Sequence, residues 1–201
     1  TIDTEKDQRH QQRMQRKKQV IDQRIANATE QRGILLLLKG TGKGKSSSAF
    51  GMVARALGHG QRVAVVQFIK GKWETGEQLF YQSLPMVDFY VMGAGFTWET
   101  QDRRVDEQAA HKAWQQATEY LADEKYDMVL LDEFTYMFKY AYLELQACLD
   151  TIASRPLKQN VIVTGRTAPS ELEDICDTVS DVRNIKHAFS HGIKTQKGIE
   201  W

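Results

Sequence analysis

The chain has 201 residues, of which 41% are hydrophobic, and a formal net charge of +1. This length is enough to bury one sizeable core, and the near-neutral charge argues against nucleic acid or an acidic membrane surface as a partner. The longest apolar run, residues 34–38, is far too short to cross a bilayer, and the N-terminus is polar, so we expect a cytoplasmic protein with no membrane partner.

The first segment, residues 1–32, differs in composition from the rest, being rich in Gln and Arg. It contains eight Lys and Arg against five Asp and Glu. Met14, Ile21, Ile25 and Ala28 fall on one helical stripe without Gly or Pro, which predicts an N-terminal helical arm. The stripe is narrow, so the arm is either a frayed, solvated helix or an element that docks on a partner subunit or over a ligand.

Residues 33–201 alternate short apolar runs with amphipathic segments. Buried parallel strands are short and rich in Val, Ile, Leu or aromatic residues, and the runs that fit are 33–39, 62–68, 87–92, 127–131 and 160–164. Helical patterns cover 46–57, 105–122, 143–154 and 170–177. Repeated strand–helix–strand order predicts one α/β domain with a doubly wound, mostly parallel sheet covered on both faces.

A glycine-rich segment joins the first strand of this domain to its first helix, and it reads Gly40-Thr41-Gly42-Lys43-Gly44-Lys45-Ser46. The backbone N–H groups of such a loop converge on one point, where the helix dipole also favours negative charge, so the expected ligand is a nucleotide phosphate. Lys45 is expected to neutralise terminal phosphate oxygens and the Ser46 hydroxyl to coordinate magnesium, with Ser47 adjoining. The strict G-x-x-x-x-G-K-S/T pattern fails only at Lys39, where its first glycine would stand.

Two acids, Asp132 and Glu133, directly follow the apolar run 128–131. A phosphate loop calls for a carboxylate at the end of a nearby buried strand, because magnesium needs hard oxygen ligands beyond the phosphates. The residues alone therefore predict an ATPase, with Asp132 on magnesium and Glu133 as general base.

Basic side chains supply two further candidates, Arg166 and Lys70. Arg166 follows the strand 160–164 and a glycine, so it is either a phosphate ligand at the ligand-bearing edge of the sheet or a solvated loop residue. Lys70 follows the strand that ends at Phe68 and has the same two interpretations as Arg166. The histidines, among them His187, show no triad or metal-pair spacing and are interpreted as surface or packing residues. Cys148 and Cys176 lack metal-ligand spacing and are interpreted as ordinary core residues.

Two aromatic residues, Phe96 and Trp98, stand directly behind Gly93 and Gly95. They are either anchors that hold a loop to the core or rings that line a pocket for a flat, largely apolar ligand.

The combination of motifs resembles the ATP:corrinoid adenosyltransferase family of cobalamin metabolism, which has the P-loop NTPase (RecA-like) fold. The resemblance extends from about Gly33 to Trp201, and the arm is similar to the N-terminal helix of some members. The stretches that carry it are GTGKGKSSSAFG, ARALGHG, VVQFIKG, GFTWETQ, LLDEFTYM, VIVTGR and KHAFSHGIKTQKGIEW.

This resemblance implies transfer of the 5′-deoxyadenosyl group of ATP to a cobalt(I) corrinoid, with release of tripolyphosphate. It implies that Ser46 and Glu133 ligate magnesium with Asp132 in support, which replaces the general-base role. Phe96 and Trp98 would crowd the lower face of the corrin and displace its axial ligand, which makes cobalt(II) easier to reduce. The resemblance also implies an electron-donating flavoprotein, a homodimer and an arm able to cover the site.

The sequence departs from common members of that family at three positions. Thr41 stands where many have Asn, Ser46 where Thr is common, and Lys39 where a small hydroxyl residue is usual. Ser46 should preserve magnesium binding, whereas Lys39 adds a charge beside the phosphate loop that can alter nucleotide affinity. Two other functions fit the motifs less fully: a P-loop ATPase or kinase, and an ATP-dependent interaction protein without turnover.

Overall fold

A computed structural model describes residues 2–69, 74–93 and 102–200 of the chain. The chain divides into two compact units, residues 1–32 and residues 33–201. The first unit contains helix α1 (Ile2–Asn27), which covers the segment predicted to be a helical arm. The apolar side chains of its stripe, among them Met14, Ile21 and Ile25, are exposed.

The second unit contains a six-stranded parallel sheet in the order β3-β2-β4-β5-β1-β6. Its strands are β1 (Leu35–Lys39), β2 (Val63–Gln67), β3 (Val87–Val91), β4 (Met128–Asp132), β5 (Asn160–Thr164) and β6 (Thr178–Asp181). The described helices of this unit are α2 (Lys45–Gly58), α3 (Gly76–Tyr81), α4 (Arg103–Ala122), α5 (Tyr136–Lys139), α6 (Leu145–Ala153) and α7 (Ser170–Ile175), with a 3₁₀ helix at Ala188–His191. The predicted doubly wound sheet of the P-loop NTPase type is confirmed.

The sheet separates two hydrophobic cores because successive side chains of a strand point to opposite faces. In β1, Leu36 and Leu38 pack with residues of α2, whereas Leu35 and Leu37 pack with residues of α4, α6 and α7. Helices therefore cover both faces, and the four inner strands, β1, β2, β4 and β5, are almost entirely buried. This arrangement leaves the carboxyl ends of the strands as the edge at which a ligand can bind.

Four of the described elements were not predicted from the sequence: β6, α3, α5 and the 3₁₀ helix. All four residues of β6 are exposed, so its sequence Thr-Val-Ser-Asp lacks the apolar run that identified the other strands. Helix α3 has only six residues, but it carries a recognisable start signal. The Thr75 hydroxyl accepts a hydrogen bond from the Gln78 amide at 3.2 Å, with the S/T-x-x-E/Q spacing of a capping box.

Among the described residues, no helix combines the length and the apolar character that a membrane span requires. The two cysteines are free thiols, and Cys148 is buried in the core as predicted. Burial raises the pKa of the Cys148 thiol to about 12, which disfavours the reactive thiolate.

The first testable consequence concerns Gly165, which follows β5. A Cβ atom added there would lie 1.8 Å from Oγ1 and 2.7 Å from Cβ of the buried Thr135. Gly165→Ala is therefore expected to lower the free energy of unfolding by about 1–3 kcal/mol, measured by urea denaturation.

The matched control is Gly51→Ala within α2, where nothing lies within 4 Å of the added Cβ. That change should raise stability by about 0.5–1 kcal/mol because Gly costs conformational entropy inside a helix. If both variants were equally stable, the packing of Gly165 against Thr135 would not constrain the fold.

Candidate active site

A cleft of about 920 Å³ lies at the carboxyl ends of the strands. Most of the predicted site residues line it, namely Thr41, Gly42, Lys43, Gly44, Lys45, Ser46, Ser47, Asp132, Glu133 and Arg166. Gly40 lies at the end of β1 and is not part of the lining. Lys70, Phe96 and Trp98 fall outside the described residues.

The phosphate loop turns directly into helix α2. Gly44 is the N-cap residue with φ of 120°, a conformation that side chains disfavour, and Lys45 begins the helix. The first amides of a helix have no intrahelical partner, so this turn presents N–H groups to the cleft. The Lys45 ammonium group donates a hydrogen bond to the Gly42 carbonyl oxygen at 2.9 Å, which keeps it over the loop.

The two other glycines of the loop are required by close packing against the chain that follows β6. The Gly42 amide donates to the Val182 carbonyl oxygen at 2.7 Å. A Cβ atom at Gly42 would lie 2.6 Å from the Arg183 carbonyl oxygen, and one at Gly40 would lie 2.4 Å from the Val182 carbonyl oxygen. Close packing against this segment is therefore one reason for the glycine-rich sequence.

Lys39 is directed away from the phosphate loop. As the last residue of β1 it shares the face of Leu35 and Leu37, and its ammonium group forms an ion pair with Glu173 of α7. Because this charge is paired on the opposite face of the sheet from α2, we expect it to have little effect on nucleotide affinity.

The carboxyl group of Asp132 lies at the centre of a buried hydrogen-bond network. Thr164 donates to its Oδ1 at 2.7 Å, and the side-chain amide of Gln67 donates to its Oδ2 at 3.2 Å. Ser46 also hydrogen-bonds to this carboxylate. Burial raises the pKa of Asp132, and these three hydrogen bonds partly oppose that shift. The network joins the ends of β2, β4 and β5 to the first turn of α2.

Glu133 has the left-handed backbone conformation, with φ of 56°, which is unusual for a residue other than glycine. Its amide donates to the Thr164 hydroxyl oxygen at 2.8 Å. Its Oε2 is buried and has no hydrogen-bond partner among the described residues. Burial and the neighbouring Asp132 raise the pKa of Glu133 to about 7, although Lys45 and Arg166 oppose the shift. An orphaned carboxylate oxygen of this kind is suited to bind a cation.

The cationic side of the cleft is formed by Lys45 and Arg166. Burial lowers the pKa of Lys45, and the nearby Arg166 charge adds to this effect, while Glu133 opposes it. Arg166 is exposed and also interacts with the hydroxyl of Tyr136. The structure thus brings the predicted cations and acids together in one cleft.

Several lining residues were missed by sequence reasoning. They come from the end of β2, from α3 and its N-cap, and from the C-terminal segment: Gln67, Thr75, Gly76, Glu77, Phe80, Tyr81, His187, Thr195, Gly198, Ile199 and Glu200. His187, interpreted from the sequence as a surface or packing residue, is half-buried and lines the cleft. The Lys43 ammonium group pairs with the Glu200 carboxylate at 2.9 Å, so the C-terminal segment contacts the phosphate loop directly.

The oxygen donors of the cleft are compatible with magnesium. Within the described ranges, no group of three or more His, Cys, Asp or Glu side chains could hold a metal ion. Magnesium needs no such cage, because it binds through one or two protein oxygens, phosphates and water. The Ser46 hydroxyl and the orphaned Oε2 of Glu133 are hard oxygen donors that line the same cleft.

The raised pKa of Glu133 predicts a stability change for Glu133→Gln. The pKa of Glu133 is about 7 in the folded protein, against the ordinary value of 4.5. The contribution of its protonated carboxyl group to the free energy of unfolding is therefore complete below pH 4.5 and is lost as the pH rises through 7. In EDTA and without nucleotide, Glu133→Gln should therefore raise the free energy of unfolding at pH 8 by on the order of 1–3 kcal/mol. The gain should disappear below pH 5.

Urea denaturation across this pH range measures the difference. Glu124→Gln, at an exposed position, controls for the loss of one negative charge. A Glu133→Gln variant that gains no stability at pH 8 would contradict the electrostatic description of this carboxylate.

Comparison with known proteins links this cleft to one family. The model of the ATP:corrinoid adenosyltransferase BtuR/CobO/CobP family matches residues 31–201, and that of the cob(I)alamin adenosyltransferase N-terminal segment matches residues 1–25. The chain is 54% identical to the corrinoid adenosyltransferase of Pseudomonas aeruginosa over 198 residues, covering 98% of each chain. It is 49% identical to corrinoid adenosyltransferase CobA of Salmonella typhimurium and 48% identical to the corrinoid adenosyltransferase of Escherichia coli K12, in each case covering 97% of this chain and 99% of the relative.

These matches extend over nearly the whole length of both partners and include the phosphate loop, the two acids and the C-terminal segment that line the cleft. The family indicated by the sequence motifs is confirmed, and the chain belongs to the ATP:corrinoid adenosyltransferases of the BtuR/CobO/CobP family.

Proposed function

We propose that this adenosyltransferase moves the 5′-deoxyadenosyl group of ATP to the cobalt(I) centre of a reduced corrinoid and releases tripolyphosphate, in the synthesis or salvage of adenosylcobalamin. The observation that carries the proposal is the convergence of Lys45, the first turn of α2 and Glu133 on one cleft of a chain in this family. In this reaction the electron pair of cobalt(I) forms the cobalt–carbon bond. The C5′–O bond breaks, and its electron pair leaves on the tripolyphosphate.

The protein's contribution is to bind and stabilise the departing phosphates, because the nucleophile belongs to the corrinoid. We assign this role to Lys45, Arg166, the backbone of residues 40–44 and the N–H groups at the start of α2, including those of Ser46 and Ser47. The leaving group gains negative charge in the transition state. The positive charge of Lys45 is held beside the loop that we assign to phosphate binding, where it can stabilise this negative charge.

For magnesium we propose Ser46 and Glu133 as direct ligands and Asp132 as a supporting residue. Both oxygens of Asp132 already accept protein hydrogen bonds, whereas Oε2 of Glu133 has no partner among the described residues. When bound, magnesium would neutralise phosphate charge. The neutral-range pKa of Glu133 would then fall, since a bound cation favours the carboxylate.

For the corrinoid we propose Phe96 and Trp98 as binding residues. They follow β3, which ends at the same edge of the sheet as β2 and β4. We further propose that a flavoprotein supplies the electron that produces cobalt(I) and that the protein works as a homodimer.

Phosphoanhydride hydrolysis is a second candidate, favoured by the pKa of about 7 at Glu133. A carboxyl group with this pKa is suited to accept a proton from water at neutral pH. The reaction products separate the two functions, because hydrolysis yields ADP and phosphate and leaves the corrinoid unchanged.

An anaerobic assay with ATP, magnesium and chemically reduced cobalamin tests the main proposal. The expected result is a photolabile cobalt–carbon product together with stoichiometric tripolyphosphate. Lys45→Ala should reduce turnover by about 100-fold or more, because a neutral side chain cannot stabilise the departing phosphates. Lys112→Ala, at an exposed position on α4, should keep full activity. Release of ADP with an unchanged corrinoid spectrum would reject adenosyl transfer.

The role of Phe96 and Trp98 is tested by replacing both with Ala and comparing two sources of cobalt(I). If the rings displace the axial ligand, activity should fall strongly with a weak flavin reductant, and the defect should shrink when cobalt(I) is supplied ready-made. If they are core anchors, each change costs on the order of 3 kcal/mol or more. In that case the melting temperature would fall and both assays would suffer equally.

A further inference from the structure

Gln67 ends β2 beside the proposed magnesium site, and no part of the proposed function uses it. In the register of the sheet it pairs with Asp132 of β4. The two side chains and that of Thr164 project from the same face, the one covered by α2. Gln67 is only 6% exposed, yet it lines the cleft.

The orientation of the Gln67 amide is fixed by its neighbour. Its Nε2 donates to Oδ2 of Asp132 at 3.2 Å. Rotating the amide by 180° would place the acceptor Oε1 against a carboxylate oxygen, which is repulsive. The hydrogen-bond network therefore distinguishes the two ends of this amide, and Oε1 must point away from Asp132.

The oxygen Oε1 of Gln67 is buried and has no hydrogen-bond partner among the described residues. Buried polar atoms rarely remain unsatisfied in native proteins, so a missing partner indicates a ligand or a bound water. The partner must be a donor, because an amide oxygen only accepts. ATP phosphates carry only acceptor oxygens and cannot fill this role.

A hydrated magnesium ion can provide the donor. Magnesium gives up its water reluctantly and keeps several bound molecules in nucleotide complexes. Each of these waters is a strong donor, because the cation polarises its O–H bonds. Ser46 and Gln67 both hydrogen-bond to the Asp132 carboxylate, so the two side chains lie within a few ångströms of the same point.

We propose that Gln67 is an outer-sphere binding residue for the metal–nucleotide complex, accepting a hydrogen bond through Oε1 from a magnesium-bound water while Nε2 holds Asp132. This inference rests on the proposed function, since it requires a metal–ATP complex in this cleft. It assigns to Gln67 a role distinct from that of Glu133, which we propose as a direct ligand of the ion.

The test uses Gln67→Met, which keeps the length of the side chain and removes both polar ends. Gln78→Met is a matched control, because Gln78 is 7% exposed, also has an unpartnered Oε1, and does not line the cleft. Binding of manganese(II) to the protein–ATP complex is measured by electron paramagnetic resonance without corrinoid. Gln67→Met should weaken manganese binding by about tenfold, the loss of one hydrogen bond to a charged group, while Gln78→Met leaves it unchanged.

Line broadening in ¹⁷O-enriched water counts the water molecules on the bound manganese. The same number in the wild type and in Gln67→Met supports an outer-sphere contact. One additional water in the variant would overturn the proposal, because Gln67 would then be a direct ligand. The proposal would also be overturned if Gln67→Met kept its manganese affinity but bound ATP more weakly than the wild type. If the two proteins then bound 2′- or 3′-deoxy-ATP equally well, the donor would be a ribose hydroxyl.

The melting temperatures of both variants are measured to separate weaker metal binding from misfolding. If Gln67 had a purely structural role, Gln67→Met and Gln78→Met would lower the melting temperature alike and leave manganese affinity unchanged. If the wild type fails to bind manganese–ATP at all, the proposed function itself is rejected. If the wild type and Gln67→Met bind manganese–ATP equally well, only the role of Gln67 is rejected.

Discussion

The carboxyl group of Asp132 is buried, and a buried polar group must be hydrogen-bonded. The elements that provide its hydrogen bonds determine the geometry of the site. The partners of Asp132 come from β2, from β5 and from the first turn of α2. Each hydrogen bond constrains the position of the element that provides it. Helix α2 is thus held at its N-terminal end to the polar tips of the sheet, while its apolar face packs against the strands. The position of the phosphate loop follows from this attachment.

The distribution of charge around the loop explains how a mildly charged protein can bind a polyphosphate. Lys39 and Lys43 are paired with Glu173 and Glu200, so their charges are partly neutralised. Lys45 faces the cleft beside the buried acids and Arg166. Without ligand, the two acids partly offset these two cations. Magnesium would offset the acids and leave Lys45 and Arg166 for the phosphates, so metal and nucleotide should bind as a complex.

The inner sheet, the phosphate loop and the two acids could be predicted because local sequence determines them. Buried parallel strands need continuous apolar runs, and a glycine-rich turn that leads from a strand into a helix is typical of a phosphate-binding loop. Strand β6 escaped prediction because its edge position removes the need for apolar residues. The contact of Glu200 with Lys43 joins residues 157 positions apart, and no local pattern encodes such a contact. Gln67 could have been recognised as a candidate site residue, because it is a polar residue directly after the buried apolar run 63–66.

The packing of Gly42 against the chain after β6 affects how substitutions in the loop should be interpreted. The same glycine lines the cleft and lets the backbone of Val182 and Arg183 approach, so it belongs both to the candidate site and to the edge of the sheet. A larger residue there would release the edge strand and disturb the loop together. Loss of activity at this position would therefore not measure nucleotide contact alone, because the substitution would also change the packing at the edge of the sheet.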